Sequence, residues 1–238
     1  MCGRYGLDEA EFSESRFEAT LLPDVQRDEI LVPRYNIAPT QPVLAVAPSK
    51  RLGGRRGIRS MRWGLTPSWA LQDRSKPRSF NIRTEGILDR PAYRKLLCFN
   101  RCAIPANFFY EWRHHTGKTG QPYAIGLSSG ELFAFAGIWV AAKDGEGWLV
   151  SCAILTSAPN PLVASLHDRQ PIILRREDER IWLDATATDP AELMPLLGVL
   201  PEAAMSMYPV ASLVNNVANE GPELRRRVEA LPVPMALL

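Results

Sequence analysis

The sequence predicts a single α+β domain, and three observations predict it. Stretches rich in β-branched and aromatic residues recur as short runs between turn signals, mostly in the centre of the chain. Helical candidates are few and short, and do not alternate with strands as a βαβ protein requires. The 238 residues contain no internal repeat, low-complexity tract or long linker, and their 46% hydrophobic content can fill one large core.

The expected strands, in order, are Val43 to Val46, Pro122 to Leu127, Leu132 to Val140, Trp148 to Leu155 and Pro171 to Leu174. Lys143-Asp144-Gly145-Glu146-Gly147 supplies a turn, so Leu132 to Leu155 reads as a hairpin. Helices are expected at Pro91 to Leu97 and Pro190 to Leu197. A third begins at Pro161, with Asn160 as its cap and His167 at its end. The domain spans 1–238, and the residues after about Val228 read as a tail.

No run of about 18 uncharged apolar residues exists, which argues against a membrane helix. The start, Met1-Cys2-Gly3-Arg4-Tyr5, lacks the basic and then apolar pattern of a secretory signal, so a cytosolic or nuclear location is expected. Cys98, Cys102 and Cys152 read as buried free thiols, and the scattered histidines complete no metal set. Charge is segregated. Between Arg34 and Arg83 lie eleven basic residues and one acid, Asp73, although the whole chain carries a net charge of only +2. Such a stretch suits a polyanion-binding surface, or else a solvated loop.

Five stretches offer chemistry. Removal of Met1 would make Cys2 a 1,2-aminothiol, whose α-amine, titrating near 7.7–8.0, is partly neutral at pH 7. Arg4, two residues on, is expected to lower the thiol pKa. Glu111 sits among Phe109, Tyr110 and Trp112, and desolvation there would raise its pKa toward the acid–base range. His167, in His167-Asp168-Arg169-Gln170-Pro171, is a candidate proton shuttle; His114 and His115 read as part of a polar turn. Asn81 offers an amide and Arg83 a fork for phosphate. Trp63 and Trp69 in a cationic stretch could stack on unpaired bases, with at least one of them expected to be packing. Each stretch also has an ordinary structural reading when taken alone.

Their order is more telling. Cys2-Gly3-Arg4, Asn36-Ile37-Ala38-Pro39-Thr40, Trp63-Gly64-Leu65 with Pro67 and Trp69, Asn81 with Arg83 and Glu85, Arg101-Cys102 with Ile104-Pro105-Ala106, Tyr110-Glu111-Trp112 and His167-Asp168-Arg169 with Pro171 follow one another. Tyr208-Pro209-Val210 and Val214-Asn215-Asn216 close the series, which runs from Cys2 to about Leu224. The series resembles the SOS response-associated peptidase family of abasic-site shielding proteins.

That resemblance implies one α+β domain around a β-barrel-like mixed sheet, with short peripheral helices and the N-terminus in a basic cleft. It implies covalent capture of abasic sites, preferentially in single-stranded DNA or at single-strand/double-strand junctions, by a monomer that needs no cofactor. Cys2 is the implied nucleophile, with Asn81, Glu111 and His167 around it. Arg4 and Arg83 match phosphate contacts, and Pro39, Trp63 and Trp69 match positions near splayed bases. Lyase activity at the same site and self-cleavage are also implied. The chain departs from the family at Gln170, where Met is usual, and at Phe108, where Gly is usual. Gln170 is expected to adjust the setting of His167, and Phe108 to alter the turn beside Glu111. A thiol amidase and a non-catalytic single-strand-binding module are the rival readings.

Overall fold

The computed structural model describes residues 2–23, 25–27, 31–71, 78–115 and 118–230, with the side chains of residues 114, 115, 118 and 119 left aside. Thirteen strands are described: β1 (Tyr5–Leu7), β2 (Thr20–Leu21), β3 (Arg34–Ile37), β4 (Pro42–Pro48), β5 (Arg56–Trp63), β6 (Asn81–Arg83), β7 (Arg101–Ala106), β8 (Phe108–His115), β9 (Lys118–Leu127), β10 (Phe133–Asp144), β11 (Gly147–Ser157), β12 (Gln170–Pro171) and β13 (Met205–Pro209).

Strands β11, β10, β7, β4 and β5 hydrogen-bond in that order, and β5 then pairs in parallel with β11 at Ser151↔Arg62 and Cys152↔Trp63. That last pairing closes the sheet into a five-stranded mixed barrel and removes two free edges. A second sheet, β13-β9-β8-β1-β3, lies beside it. The interior is filled by fully buried Tyr5, Trp63, Phe109, Phe133, Phe135, Ile58 and Met61. Tyr5 and Phe135 meet edge to face at 5.6 Å, and Tyr5 and Trp63 at 5.4 Å.

The expected hairpin forms with Asp144↔Gly147 as its last pair, and Gly145 takes the left-handed φ of +60° that the turn demands. Of the expected Pro171 to Leu174 strand only Gln170–Pro171 is regular; beyond it Ile173 makes a single bridge to Phe135. The Asn160 cap holds: its side chain accepts from the Val163 N–H at 3.0 Å, and helix Pro161–Ala164 follows. Pro91–Phe99 is helical, while Pro190 to Leu197 divides into an α-turn and a 3₁₀-turn at Met194. Cys98, Cys102 and Cys152 are buried free thiols. The Val228 N–H bonds to the Pro209 carbonyl, so the chain is tied down to that point; residues 231–238 of the expected tail lie outside the described residues. Among the described residues no helix is long and apolar enough to cross a membrane.

In the basic stretch Asp73, Arg74 and Lys76 lie outside the described residues. Lys50, Arg51, Arg55, Arg62 and Arg83 are exposed. Arg34 and Arg56 donate instead to the carbonyls of Pro42 and Phe17 and brace the fold.

Candidate active site around Cys2

Cys2 precedes β1, and its side chain is buried in the main core. β1 pairs with β8 at Tyr5↔Phe109 and Gly6↔Phe108, and the Tyr110 N–H extends the ladder to the Arg4 carbonyl at 2.9 Å. Continuing the antiparallel register brings the start of the chain alongside Glu111. Alternation along β8 turns Phe109 and Glu111 to one side, and Phe108, Tyr110 and Trp112 to the other. Phe109 accordingly packs in the main core, whereas Phe108, Tyr110 and Trp112 pack with Val210 and Val214.

The Asn81 Nδ2 donates to the Cys2 carbonyl at 2.7 Å. Its Oδ1 is buried and finds no hydrogen-bond partner among the described residues. An orphaned buried acceptor carries a desolvation penalty of about 1–3 kcal/mol and suits a site that awaits a donor. β6 reaches this position because it pairs in parallel with β11, Asn81 opposite Ile154.

Glu111 is buried, and burial is the main cause that lifts its carboxyl to about 7, with the Asp168 charge adding to the rise. The pKa expectation therefore holds, but of the three aromatic neighbours in sequence only Phe109 shares its side of the strand. Tyr110 and Trp112 face away, into the cluster with Val210 and Val214. The Cys2 thiol behaves opposite to expectation. Burial, followed by the Glu111 charge, pushes it up. Arg4 does not offset this, because its Nη1 turns to Asn36 Oδ1 at 2.8 Å and the Val214 carbonyl at 2.7 Å. The thiol points toward the Arg4 carbonyl at 4.0 Å.

His167 lies just past its helix, with its N–H on the Val163 carbonyl. Its Nδ1 accepts from the Arg169 N–H at 3.0 Å and lies 2.8 Å from Asp168 Oδ1. The first contact is best met by a neutral ring protonated on Nε2, the second by a proton on Nδ1. Either protonation state thus finds a partner. The loop is fastened by Arg169, whose guanidinium grips Glu85 at 2.7 and 2.8 Å and the Thr156 carbonyl at 2.7 Å. Gln170 is buried and its Oε1 accepts from the Asn160 N–H at 2.8 Å, so it fixes the start of the helix leading to His167.

The structure thus links Cys2, Asn81 and Glu111 directly, and His167 through Asp168. Asp168 and Asn36, which make the contacts described above, were missed by residue-by-residue reading; both stood inside motifs, without a signal of their own. Among the expected base contacts, Trp63 is corrected. It is fully buried, meets Tyr5 and Phe80 edge to face, and donates from Nε1 to the Phe80 carbonyl at 2.9 Å, so it has no face for a base. Trp69 is 67% exposed on a short helix, Ser68–Leu71. Pro39 is half-buried in a turn docked on Trp63, where the Thr40 N–H reaches the Trp63 carbonyl at 2.7 Å. Arg83 is exposed two residues beyond Asn81. Phe108 directly follows the bend at Asn107. It opens β8, and its ring occupies the space of a Cβ at residue 6, so a side chain there would force the Phe108 ring to move.

The family model for SOS response associated peptidases (SRAP) matches residues 1–217. The abasic site processing protein YoqW of Bacillus subtilis is 38% identical over 230 residues, spanning 94% of this chain and 98% of YoqW. The abasic site processing protein HMCES of Gallus gallus is 31% identical over 244 residues, spanning 89% of this chain and 71% of HMCES. A crystal structure of a protein from Bacteroides thetaiotaomicron shares the fold, with a TM-score of 0.83 over 96% of this chain and 100% of that one at 24% identity. Seven motifs in order, a closed barrel with Cys2 against Asn81 and Glu111, and these relatives agree: the chain belongs to the SOS response associated peptidase (SRAP) family.

Proposed function

We propose that this protein processes abasic sites in DNA by capturing them covalently through Cys2 once Met1 is removed. The single observation that carries the proposal is the placement of Cys2 beside Asn81 and a Glu111 held at about 7, in a chain whose relatives are abasic site processing proteins.

The sugar at an abasic site opens to an aldehyde at C1′. The neutral Cys2 amine adds to C1′ and forms a carbinolamine. Protonated Glu111 gives its proton to the departing hydroxyl, which leaves as water, and a Schiff base remains. The Cys2 sulfur then bonds to C1′, and its proton passes to Glu111 or His167. The product is a five-membered thiazolidine, equal to protein plus DNA less one water. Asn81 holds the Cys2 carbonyl and offers Oδ1 to the amine. A buried thiol that titrates high stays a thiol until the Schiff base forms, so the amine acts first. No metal or nucleotide cofactor enters the scheme. The strand would be drawn in by phosphate neutralisation, with Arg83 and the free edge of Arg4 toward the backbone, and Trp69 and Pro39 toward unpaired bases. Single strands and junctions are the proposed substrates, the adduct shields the lesion, and strand cleavage by β-elimination is a minor route.

The test compares Cys2→Ser with wild type on a single-stranded abasic oligonucleotide. Wild type should give a band that survives a denaturing gel without borohydride. Cys2→Ser keeps the amine but lacks the thiol, and should give a band only after borohydride trapping. A Cys2→Ser adduct as stable as wild type without reductant would remove the thiazolidine from the account.

A further inference from the structure

Two arms of the candidate site meet at Thr156 of β11. On one side β6 runs parallel to β11, with Asn81 opposite Ile154 and Arg83 opposite Thr156. On the other side β12 pairs antiparallel, with Gln170 opposite Ser157 and Pro171 opposite Thr156. Asn81 holds the Cys2 carbonyl at 2.7 Å, and His167 stands three residues before Gln170. One fork ties the arms together. Arg169 Nη1 donates to Glu85 Oε1 at 2.7 Å and Nη2 to Oε2 at 2.8 Å, and Nη2 also reaches the Thr156 carbonyl at 2.7 Å. The Thr84 N–H donates to that same carbonyl at 2.9 Å, and the Ala158 N–H to Glu85 Oε1 at 3.2 Å. The Arg169 side chain is only 9% exposed. A planar guanidinium gripped at both prongs leaves its own backbone little freedom.

That backbone bears on the state of the imidazole. The Arg169 N–H lies 3.0 Å from His167 Nδ1, and an amide N–H can only donate. Asp168 Oδ1 lies 2.8 Å from the same atom, and a carboxylate can only accept. A neutral ring cannot meet both demands at Nδ1, so the less movable partner prevails. The Asp168 side chain is 79% exposed and can turn into water at little cost, whereas the Arg169 amide is fixed by the fork and by the β12 pairing beside it. An accepting Nδ1 leaves the ring proton on Nε2. Such a ring donates from Nε2 and takes a further proton only at Nδ1, which then turns to Asp168. We propose that Arg169, held by Glu85, is a positioning residue of the Cys2 site: it joins the His167 loop to the strand of Asn81 and holds His167 as the Nε2–H tautomer. The proposal rests on the reading of Cys2, Asn81 and His167 as one reactive site, while the tautomer itself is a property of the DNA-free protein.

The experiment uses the full Met1-free chain with 15N-labelled histidine. Long-range 1H–15N NMR at alkaline pH, where imidazole is neutral, reads the tautomer of each ring, and His167→Gln identifies the His167 signals. Wild-type His167 should be the Nε2–H form. Arg169→Lys, which keeps the charge but loses the fork, and Glu85→Gln should each give a mixture of tautomers. Both variants should crosslink an aldehyde-bearing abasic strand about tenfold more slowly in single turnover, the scale of a misplaced group. Their affinity for a strand carrying a tetrahydrofuran abasic analogue, which has no aldehyde, should stay at the wild-type value. Glu85→Asp, whose carboxylate can still face Arg169, should recover most of the rate. A fork with a purely structural role would lower the melting temperature alone. A wild-type ring protonated on Nδ1 overturns the proposal without any variant. So does an unchanged tautomer, or an unchanged crosslinking rate, in the folded variants when wild type crosslinks. Wild type that shows the Nε2–H ring but never crosslinks leaves the tautomer standing and overturns the reading of the site.

Discussion

Asn81 grips the carbonyl oxygen of Cys2 at 2.7 Å, so Cys2 is held by its backbone and not by its thiol. Among the described residues the thiol makes a long contact with the Arg4 carbonyl.

Asn81→Ala should keep the fold and slow adduct formation. Loss of one positioning hydrogen bond of about 0.5–1.5 kcal/mol corresponds to a rate lowered by about threefold to tenfold, more if Oδ1 also holds the amine. Single-turnover crosslinking with an abasic oligonucleotide measures it, and an unchanged rate would separate Asn81 from the chemistry.

The pH dependence should be bell-shaped. Glu111 has to be protonated, which holds below about 7, and the Cys2 amine has to be neutral, which is favoured above roughly 7.7. The maximum should therefore fall near neutrality. Glu111→Gln should lower the rate by about 10²-fold or more and remove the alkaline limb that Glu111 causes. The same shift has a consequence for folding. A carboxyl raised in the folded state opposes folding once pH passes its unfolded value, so Glu111→Gln should make the protein more stable at pH 8 than wild type, and less distinguishable at pH 4. Denaturant midpoints at the two pH values check this.

The two tryptophans of the basic stretch should separate cleanly. Trp63→Ala opens a cavity in the barrel and should destabilise the fold by about 3–5 kcal/mol. Trp69→Ala should leave the denaturant midpoint near wild type and weaken single-strand binding by about 1–3 kcal/mol in fluorescence anisotropy, as a lost stacking surface does.

Glu85 holds the loop that carries His167 through its fork with Arg169, which depresses the Glu85 carboxyl to about 2. A depressed folded pKa stabilises above the unfolded value, near 4.3, and that stability disappears as pH falls through about 2. Acid titration should therefore show a loss in this window that is absent in Glu85→Gln. The half-exposed side chain keeps the effect small.

Some of this molecule is legible residue by residue. The β10–β11 hairpin announces itself through Asp144-Gly145 between apolar runs, and the Pro161 helix through Asn160, because turn and cap chemistry is local. Strand β5 is not legible in this way. Arg56, Arg59 and Arg62 interleave with Ile58, Met61 and Trp63 on no clean period of two, so a barrel strand reads as a basic loop. The parallel β5–β11 pairing that closes the barrel joins residues far apart in sequence and leaves no local mark. At the site the direction of the Glu111 shift was foreseeable, whereas that of the Cys2 thiol was not. Proximity of Arg4 in sequence suggested a cation beside the sulfur, but residues 2–4 precede the regular part of β1, and the Arg4 guanidinium is held by Asn36 and the Val214 carbonyl. The grouping of Asn81, Glu111 and His167 about Cys2 came from the order of motifs and not from any one of them.

The central claim is that the α-amine and sulfur of Cys2 together bind the abasic carbon. Intact-mass spectrometry of the Met1-free protein mixed with an abasic oligonucleotide tests it most directly. Wild type should yield one species at the summed mass less a water, without reductant, and Cys2→Ala should yield none. A stable adduct of that mass with Cys2→Ala, or no adduct from wild type with a free Cys2 terminus, would contradict it.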